Sequence, residues 1–309
     1  MGCSSSAALE TDFKFKRRGT IILPPLETNC QTIAGHVNSV TQILLLQDGR
    51  LASCSWDGTI KIWSKDMRTS EETFFKNDEP ILSIVQLPDS TILSASADSS
   101  IYRWTFGQSS PVQTYKGHSD AVYNITILTD DEFASCSEDT YILLWKASMT
   151  RTIIKLSGHS SKVNKMIVLK SGQLASCSND CSIKIWDCRN KKSIITLDSD
   201  SCCMTIVELS NGDIAAGYMS KDVKIWNLKK KKVIANLIGH TEYVDCIFEE
   251  KDGTIITAGY DGVVKKWNAE YSKCISTMRW HDGNVPCIIY MENNKICSCG
   301  FDNLIKIWD

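Results

Sequence analysis

Residues 158–187 have the sequence GHSSKVNKMIVLKSGQLASCSNDCSIKIWD, which opens on Gly-His and closes on Trp-Asp. Most of the chain consists of variants of this stretch. The tryptophans that end the copies are Trp63, Trp104, Trp145, Trp186, Trp226, Trp267 and Trp308. Each lies 41 residues after the one before, except for one step of 40. A period of about 40–45 residues is typical of a propeller blade with four strands, so the spacing predicts seven blades.

The Gly-His and Trp-Asp pairs also keep a fixed distance from each other. In five copies the tryptophan lies 27 residues after the histidine; these pairs are His36–Trp63, His118–Trp145, His159–Trp186, His240–Trp267 and His281–Trp308. This pattern resembles the WD40-repeat family over residues 27–309. The resemblance implies an all-β fold, a closed seven-bladed propeller. We therefore expect two regions, a tail at residues 1–26 and a propeller at residues 27–309.

Blade seven lacks a fourth strand of its own, because the sequence ends at Asp309 directly after its third strand. Residues 27–34, ETNCQTIA, have the right phase to supply that strand. Pairing the two ends would close the ring and remove the exposed strand edges that invite aggregation. The sequence therefore predicts a ring closed by the N-terminal strand.

Composition excludes several classes of function. The net charge is −2, which favours no nucleic-acid partner. Hydrophobic runs are too short for a secretion signal or a membrane-spanning helix. The chain has 14 cysteines, of which four share one blade position inside S-C-S or S-C-G; these are Cys54, Cys136, Cys177 and Cys299. With no C-x-x-C motif, the pattern indicates reduced thiols in a cytoplasmic compartment and no metal site.

Five blades combine Ser or Thr, His and Asp in one register, as a hydrolase triad does. The sets are Ser53, His36, Asp57; Ser135, His118, Asp139; Ser176, His159, Asp180; Thr257, His240, Asp261; and Ser298, His281, Asp302. Five identical catalytic centres in one domain are implausible. The WD40 resemblance implies instead a buried network from Asp through His and Ser or Thr to Trp.

All five histidines of the chain occupy this one position, so none remains for acid–base catalysis or metal binding. The sequence also contains no glycine-rich phosphate loop. We therefore expect that the protein is not an enzyme and uses no cofactor.

Two blades depart from the pattern. Blade two has Asn77 at the His position. Blade five has Asp200, Ala216 and Ser220 at the His, Ser and Asp positions and keeps the tryptophan, Trp226. Because the network is missing there, we expect blade five to be the least rigid.

The tail carries signals for lipid attachment. Gly2 fits the M-G-x-x-x-[ST] pattern of N-myristoylation, and Cys3 is placed for palmitoylation. A basic cluster follows at residues 14–18. One acyl chain alone binds membranes weakly, so stable anchoring needs a second signal of this kind. The tail predicts association with an anionic membrane on its cytoplasmic side; the alternative is a disordered, unmodified tail.

The expected contact surface is the top face, the rim of the channel that carries the His and Asp turns. By analogy with the family, three positions per blade point into the channel mouth: three and five residues after the His, and one before the turn Asp. The predicted protein-binding residues are Trp56, Tyr123, Glu138, Lys162, Asn179, Tyr243, Asp245, Tyr260 and Phe301. Trp and Tyr are enriched at binding hot spots. Alternatively, large residues before the turn Asp only shield the network beneath.

These features predict a non-enzymatic scaffold or adaptor, lipid-anchored at a membrane, that holds a protein or peptide partner. One alternative is a substrate receptor of a cullin-RING ubiquitin ligase. Trp186–Arg189 resembles the Trp-Asp-x-Arg box of such receptors, and Arg189 would contact the ligase adaptor. The other alternative is a soluble WD40 subunit of a larger complex, with the tail unmodified.

Overall fold

The computed structural model describes residues 30–76, 78–268, 272–291 and 295–308. Within these residues the regular secondary structure is entirely β. The strands, in chain order, are β1 (Cys30–Ala34), β2 (Val40–Leu45), β3 (Leu51–Ser55), β4 (Thr59–Trp63), β5 (Ser70–Phe75), β6 (Ile81–Gln86), β7 (Ile92–Ser96), β8 (Ser100–Trp104), β9 (Gln113–Lys116), β10 (Val122–Ile127), β11 (Glu132–Ser137), β12 (Ile142–Lys146), β13 (Thr152–Leu156), β14 (Val163–Val168), β15 (Leu174–Ser178), β16 (Ser182–Asp187), β17 (Lys192–Asp198), β18 (Cys203–Glu208), β19 (Ile214–Tyr218), β20 (Asp222–Asn227), β21 (Lys232–Ile238), β22 (Val244–Glu249), β23 (Ile255–Gly259), β24 (Val263–Asn268), β25 (Lys273–Arg279), β26 (Cys287–Tyr290), β27 (Ile296–Cys299) and β28 (Leu304–Trp308).

The strands form seven antiparallel sheets of four strands each, which are the predicted blades. Blades one to six each use four consecutive strands, from β2–β5 to β22–β25. The first strand of every blade is the inner one, and these inner strands contact their neighbours all the way round, including β26 with β2. The seven-bladed, closed all-β ring is thus confirmed.

Blade seven closes the ring with the start of the described chain. Its strand order is β26, β27, β28 and β1. In the register, Cys30 lies opposite Trp308 and Ile33 lies opposite Ile305. Ile33 is 4% exposed and packs in one apolar cluster with Ile305 and Ile307. The predicted closing strand is confirmed from Cys30 onward; residues 27–29 lie outside the described part.

The hydrophobic core lies between neighbouring blades rather than within one. Leu46 and Phe74 of blade one, for example, pack with Ile84 and Trp104 of blade two. The second strand of each blade is covered on both faces, so it is built from small and apolar residues such as the LASCS of β3, all buried. The four cysteines that share one blade position are completely buried free thiols; they are Cys54, Cys136, Cys177 and Cys299.

Antiparallel pairing gives the ring two distinct faces. The turns between second and third strands, and the connections from one blade to the next, lie on the top face. The turns between first and second strands and between third and fourth strands lie on the bottom face. Since Cys30 pairs with Trp308, the described chain begins at the bottom face. The basic turns at residues 189–192 and 229–232 also lie there.

Candidate functional site

One hydrogen-bonded network recurs in five blades, and blade four shows its geometry. Trp186 Nε1 donates to Ser176 Oγ over 2.8 Å. His159 Nε2 lies 2.7 Å from the same oxygen, and His159 Nδ1 lies 2.7 Å from Asp180 Oδ2. Because the Asp180 carboxylate can only accept, Nδ1 carries the proton and donates to it; Nε2 of that tautomer is the acceptor, and the Ser176 hydroxyl donates to it. Equivalent bonds join His36 to Asp57, His118 to Asp139, His240 to Asp261 and His281 to Asp302.

This network holds the top-face loops together by hydrogen bonds, and its serine hydroxyl is too deeply buried for a substrate to reach. The backbone N–H of Ser160 also donates to Asp180, so the carboxylate joins the connection before the first strand to the turn after the second. Burial raises the pKa of the Asp180 carboxyl, but hydrogen bonds from His159 and Ser182 outweigh it and hold the pKa below its usual range. The Ser176 side chain is completely buried, so this arrangement holds the blade together and does not present a nucleophile.

The glycine of each Gly-His pair has a steric role. A Cβ atom at Gly35 would lie 2.7 Å from the Trp63 ring, and one at Gly117 would lie 2.8 Å from the Trp145 ring. The tryptophan therefore packs directly under the backbone that presents the histidine. This contact explains why Gly-His and Trp-Asp recur together in the sequence.

Replacing His159 by alanine is expected to destabilise the protein by about 1–3 kcal/mol, because Ser176 and Asp180 each lose a buried partner. Urea unfolding of the full chain measures the effect. The control is Asp200→Ala in the matching connection of blade five. The strand register places Ser199, and not the predicted Asp200, at the His position of that blade, and Asp200 is an exposed residue that pairs with Lys224. That variant should cost less than about 1 kcal/mol. Equal stability of His159→Ala and the unmodified protein would contradict a structural role for the network.

Blade two keeps part of the network. Trp104 Nε1 donates to Ser94 Oγ over 2.8 Å, and the Tyr102 hydroxyl donates to Asp98. Asn77, at the His position, lies outside the described residues. The tryptophan anchor is therefore the same in this blade, while a tyrosine from the third strand contacts the turn aspartate.

Blade five replaces the network with a tyrosine, which sequence reasoning missed. Trp226 Nε1 donates to the Tyr218 hydroxyl over 2.8 Å, and Tyr218 is completely buried. Lys224 lies 5.0 Å from the centre of the Tyr218 ring and pairs with Asp200. The signal was present in the sequence: Tyr218 follows two residues after Ala216, where blade four has the small Ser178 after Ser176. The larger side chain reaches the tryptophan that Ala216 cannot.

A β-bulge in the first strand of blades one to six turns one side chain per blade toward the channel. In blade one, Val40 pairs with Ser55 and Gln42 pairs with Cys54, so Thr41 is left over. Such bulges re-aim a side chain. The bulged residues, together with Pro286 of blade seven, line one cavity of about 370 Å³; they are Thr41, Leu82, Tyr123, Asn164, Met204 and Asp245. These are the positions five residues after the His position.

Four aromatic rings form a continuous row at the mouth of this cavity, which we name the aromatic arc: Tyr243, Tyr260, Phe301 and Trp56. The centres of the Tyr243 and Tyr260 rings lie 3.9 Å apart, those of Tyr260 and Phe301 5.5 Å, and those of Phe301 and Trp56 5.2 Å. Trp56 is 40% exposed and Tyr260 is 37% exposed. The arc thus spans blades six, seven and one across the closure of the ring.

The opposite side of the cavity is polar. Lys162 Nζ lies 3.3 Å from the centre of the Tyr123 ring, and the Tyr123 hydroxyl donates to Glu138 over 3.0 Å. Burial lowers the pKa of Lys162, and burial with the bond to Glu138 raises the pKa of Tyr123. Asn164 donates to Asn179 Oδ1 over 2.7 Å. Glu138 and Asn179 therefore hold cavity-lining side chains in place without lining the cavity.

Asp245 and Asn284 lie on the wall of the cavity beside the aromatic arc. Asn284 Nδ2 donates to Asp245 Oδ2 over 2.6 Å, and Asn284 is 2% exposed. Burial raises the pKa of Asp245. Sequence reasoning placed Ser39 at the matching position of blade one, but that side chain is buried beneath the surface and does not line the cavity.

No group of three or more His, Cys, Asp or Glu side chains among the described residues is placed to hold a metal ion. In the same ranges, no helix has the length and apolarity needed to cross a bilayer.

A closed ring of repeats, most of them fastened by one Trp–Ser–His–Asp network, defines the class of protein as a repeat propeller. The family model described as "WD domain, G-beta repeat" matches residues 27–64, 109–146, 150–187, 231–268 and 272–309, which is more than half of the chain. The chain belongs to the WD40 family. The unmatched intervals contain the first three strands of blades two and five, the two blades that lack the histidine.

A solved structure supports the fold. The chain is similar to the structure entitled "Crystal structure of WD40 beta propeller domain of Doa1", with a TM-score of 0.81 and 23% sequence identity over 91% of this chain and 97% of that one. No curated protein matches the chain. WD40 propellers generally bind protein partners and are generally not enzymes.

Proposed function

We propose that this protein is a non-enzymatic scaffold or adaptor that binds a protein or peptide partner on its top face. The observation that carries the proposal is the aromatic arc at the mouth of the cavity. Trp and Tyr are enriched at binding hot spots, and contiguous exposed apolar patches mark interaction sites. The recurring Ser-His-Asp sets do not compete with this function, because their hydroxyl groups are buried.

Affinity purification of the full chain from its native source, with partners identified by mass spectrometry, tests this proposal. A Trp56→Ala, Phe301→Ala double variant is purified in parallel. Partners that depend on the arc support top-face binding; identical partner sets from both proteins would contradict it. Adding a Gly2→Ala protein to the comparison separates a lipid-anchored adaptor from a soluble subunit of a larger complex, since partners at a membrane would be lost from Gly2→Ala alone.

We further propose that the bottom face lies toward an anionic membrane, with acylation at Gly2 and Cys3 as the anchor. Those two residues lie outside the described part of the chain. The support is that the described chain begins at the bottom face, where exposed lysines cluster at residues 229–232. Basic residues beside a membrane contribute about 1 kcal/mol each against anionic lipid, and salt screens the effect.

Changing Lys229–Lys232 to glutamate is therefore expected to weaken binding of the acylated protein to phosphatidylserine vesicles by more than about tenfold at low salt. Vesicle sedimentation at two salt concentrations measures the change. The matched control reverses Lys76 and Lys221, which are exposed on the top face, and should bind as before. Binding that ignores both salt and the bottom-face reversal would contradict this orientation.

A second candidate function is that of a ligase substrate receptor. Its support is that Arg189 is exposed in the bottom-face turn of blade four, where another protein could reach it. Recovery of a cullin-RING adaptor that depends on Arg189 would favour this function over the lipid-anchored adaptor.

A further inference from the structure

One buried acceptor in the cavity lacks a donor. Among the residues that the structure describes, the Asn284 side-chain oxygen Oδ1 is buried without a hydrogen-bond partner. The amide cannot simply be turned over, because its Nδ2 donates to Asp245 Oδ2 over 2.6 Å and the reverse orientation would bring two acceptors together. A buried polar atom of this kind is costly to leave unpaired. The site is therefore complete only when something supplies a donor.

The carboxylate beside it has unused hydrogen-bonding capacity, although the charges of Lys162 and Lys165 across the cavity already favour its ionised form and oppose the rise in its pKa that burial causes. The donor that the structure gives Asp245 is Asn284, although a carboxylate can accept about four hydrogen bonds. The aromatic arc is attached to the same segments: the Phe301 backbone N–H donates to the Asn284 carbonyl over 2.9 Å, and the Tyr260 N–H donates to the Tyr243 carbonyl over 3.0 Å. Acceptors and aromatic faces thus share one side of the cavity.

The top face around the cavity is negatively charged, which attracts a cation. Its described connections carry seven exposed acidic side chains and three lysines. The acidic residues are Asp78, Glu79, Asp120, Glu138, Asp200, Glu242 and Asp282, and the lysines are Lys76, Lys162 and Lys221. The network aspartates add further negative charge. Such a rim favours the approach of a basic partner.

Two lysines line the far side of the cavity, and each already has an interaction. Lys162 lies over the Tyr123 ring, next to the Tyr123–Glu138 hydrogen bond. Lys165 donates to Thr205 Oγ1 over 3.1 Å. Neither lysine has a buried polar atom without a partner, in contrast to Asn284. The group that this cavity lacks is therefore a hydrogen-bond donor.

We propose that the cavity binds the guanidinium group of an arginine side chain in a basic peptide segment of the partner. Asp245 and Asn284 accept its hydrogen bonds, and the aromatic arc contacts the arginine and its flanking residues. A guanidinium presents five N–H donors in one plane and stacks on aromatic rings, so one group satisfies both acceptors and the arc. This inference rests on the proposed function and gives the chemical class of its partner.

The test uses three short fluorescent peptides with blocked ends that differ at one central residue: arginine, citrulline or glutamate. Citrulline has nearly the shape of arginine without its charge. Fluorescence anisotropy with the full chain is expected to show the arginine peptide binding at least about tenfold more tightly than the citrulline peptide, with no binding of the glutamate peptide. Asp245→Asn should abolish the preference for arginine, because the amide can still accept from Asn284 but carries no charge.

The matched control is Asp252→Asn, the same chemical change in the bottom-face turn of the same blade, which should bind as the unmodified protein does. Thermal unfolding confirms that both variants fold. Equal binding of arginine and citrulline peptides, tighter binding of the glutamate peptide, an unchanged preference in Asp245→Asn, or no saturable binding at millimolar peptide would each overturn the inference. If the native partner still depends on the arc in any of those cases, the proposed function stands and only the arginine assignment fails.

Discussion

Deletion of residues 1–34 is expected to give an insoluble protein or one that unfolds without cooperativity, whereas deletion of residues 1–26 should leave a soluble ring. The longer deletion removes β1, the outer strand of blade seven. It leaves β28 as an unpaired edge and uncovers Ile305 and Ile307, which Ile33 otherwise buries. Exposed apolar strand edges of this kind pair with other chains. Solubility, circular dichroism and thermal unfolding of the two proteins measure the difference.

The comparison depends on the short distance between the two cut sites, because both proteins lack the same tail. A difference between them therefore reports on the closing strand and not on acylation or the basic cluster. A protein without residues 1–34 that stays soluble and melts cooperatively would show that the ring does not need β1.

The fold could be predicted because each blade must bury the same faces as its neighbours. The period of the tryptophans gives the number of blades, and the phase of the repeat places the closing strand at β1. The period remains visible even in blade five, which lacks the Gly-His pair, because Trp226 is still present there. The sequence shows a tyrosine, Tyr218, where the other blades have a small residue, but the repeat pattern does not show that its hydroxyl accepts the hydrogen bond of Trp226, because this pairing occurs in no other blade.

The candidate site was predictable in position but not in chemistry. The spacing from each histidine located residues such as Tyr123, Asp245 and Phe301, and the structure places all three on one cavity. The reason for that placement, a bulge that leaves one residue unpaired in six first strands, depends on strand register and has no sequence signature. The unpaired Asn284 oxygen likewise depends on the direction of one amide, which only the contact with Asp245 decides.

The aromatic arc should behave as a hot spot that contributes little to stability. Trp56→Ala and Phe301→Ala are each expected to weaken binding of the partner recovered by affinity purification by about 30-fold or more, since truncating a hot-spot residue costs at least about 2 kcal/mol. The melting temperature should hardly change, because Trp56 is 40% exposed and lies outside the buried network. Surface plasmon resonance and thermal unfolding of each variant provide the two measurements.

Met219 offers a matched control for this prediction. It occupies the position of blade five that corresponds to Trp56 and is 47% exposed, but it does not line the cavity. Met219→Ala should therefore bind the partner normally. If Trp56→Ala keeps full affinity but melts at a clearly lower temperature, the Trp56 side chain shields the hydrogen-bonded network beneath it and does not contact a partner. If both arc variants keep full binding while Tyr123→Ala or Lys162→Ala loses it, the partner lies on the opposite side of the cavity, over blades three and four.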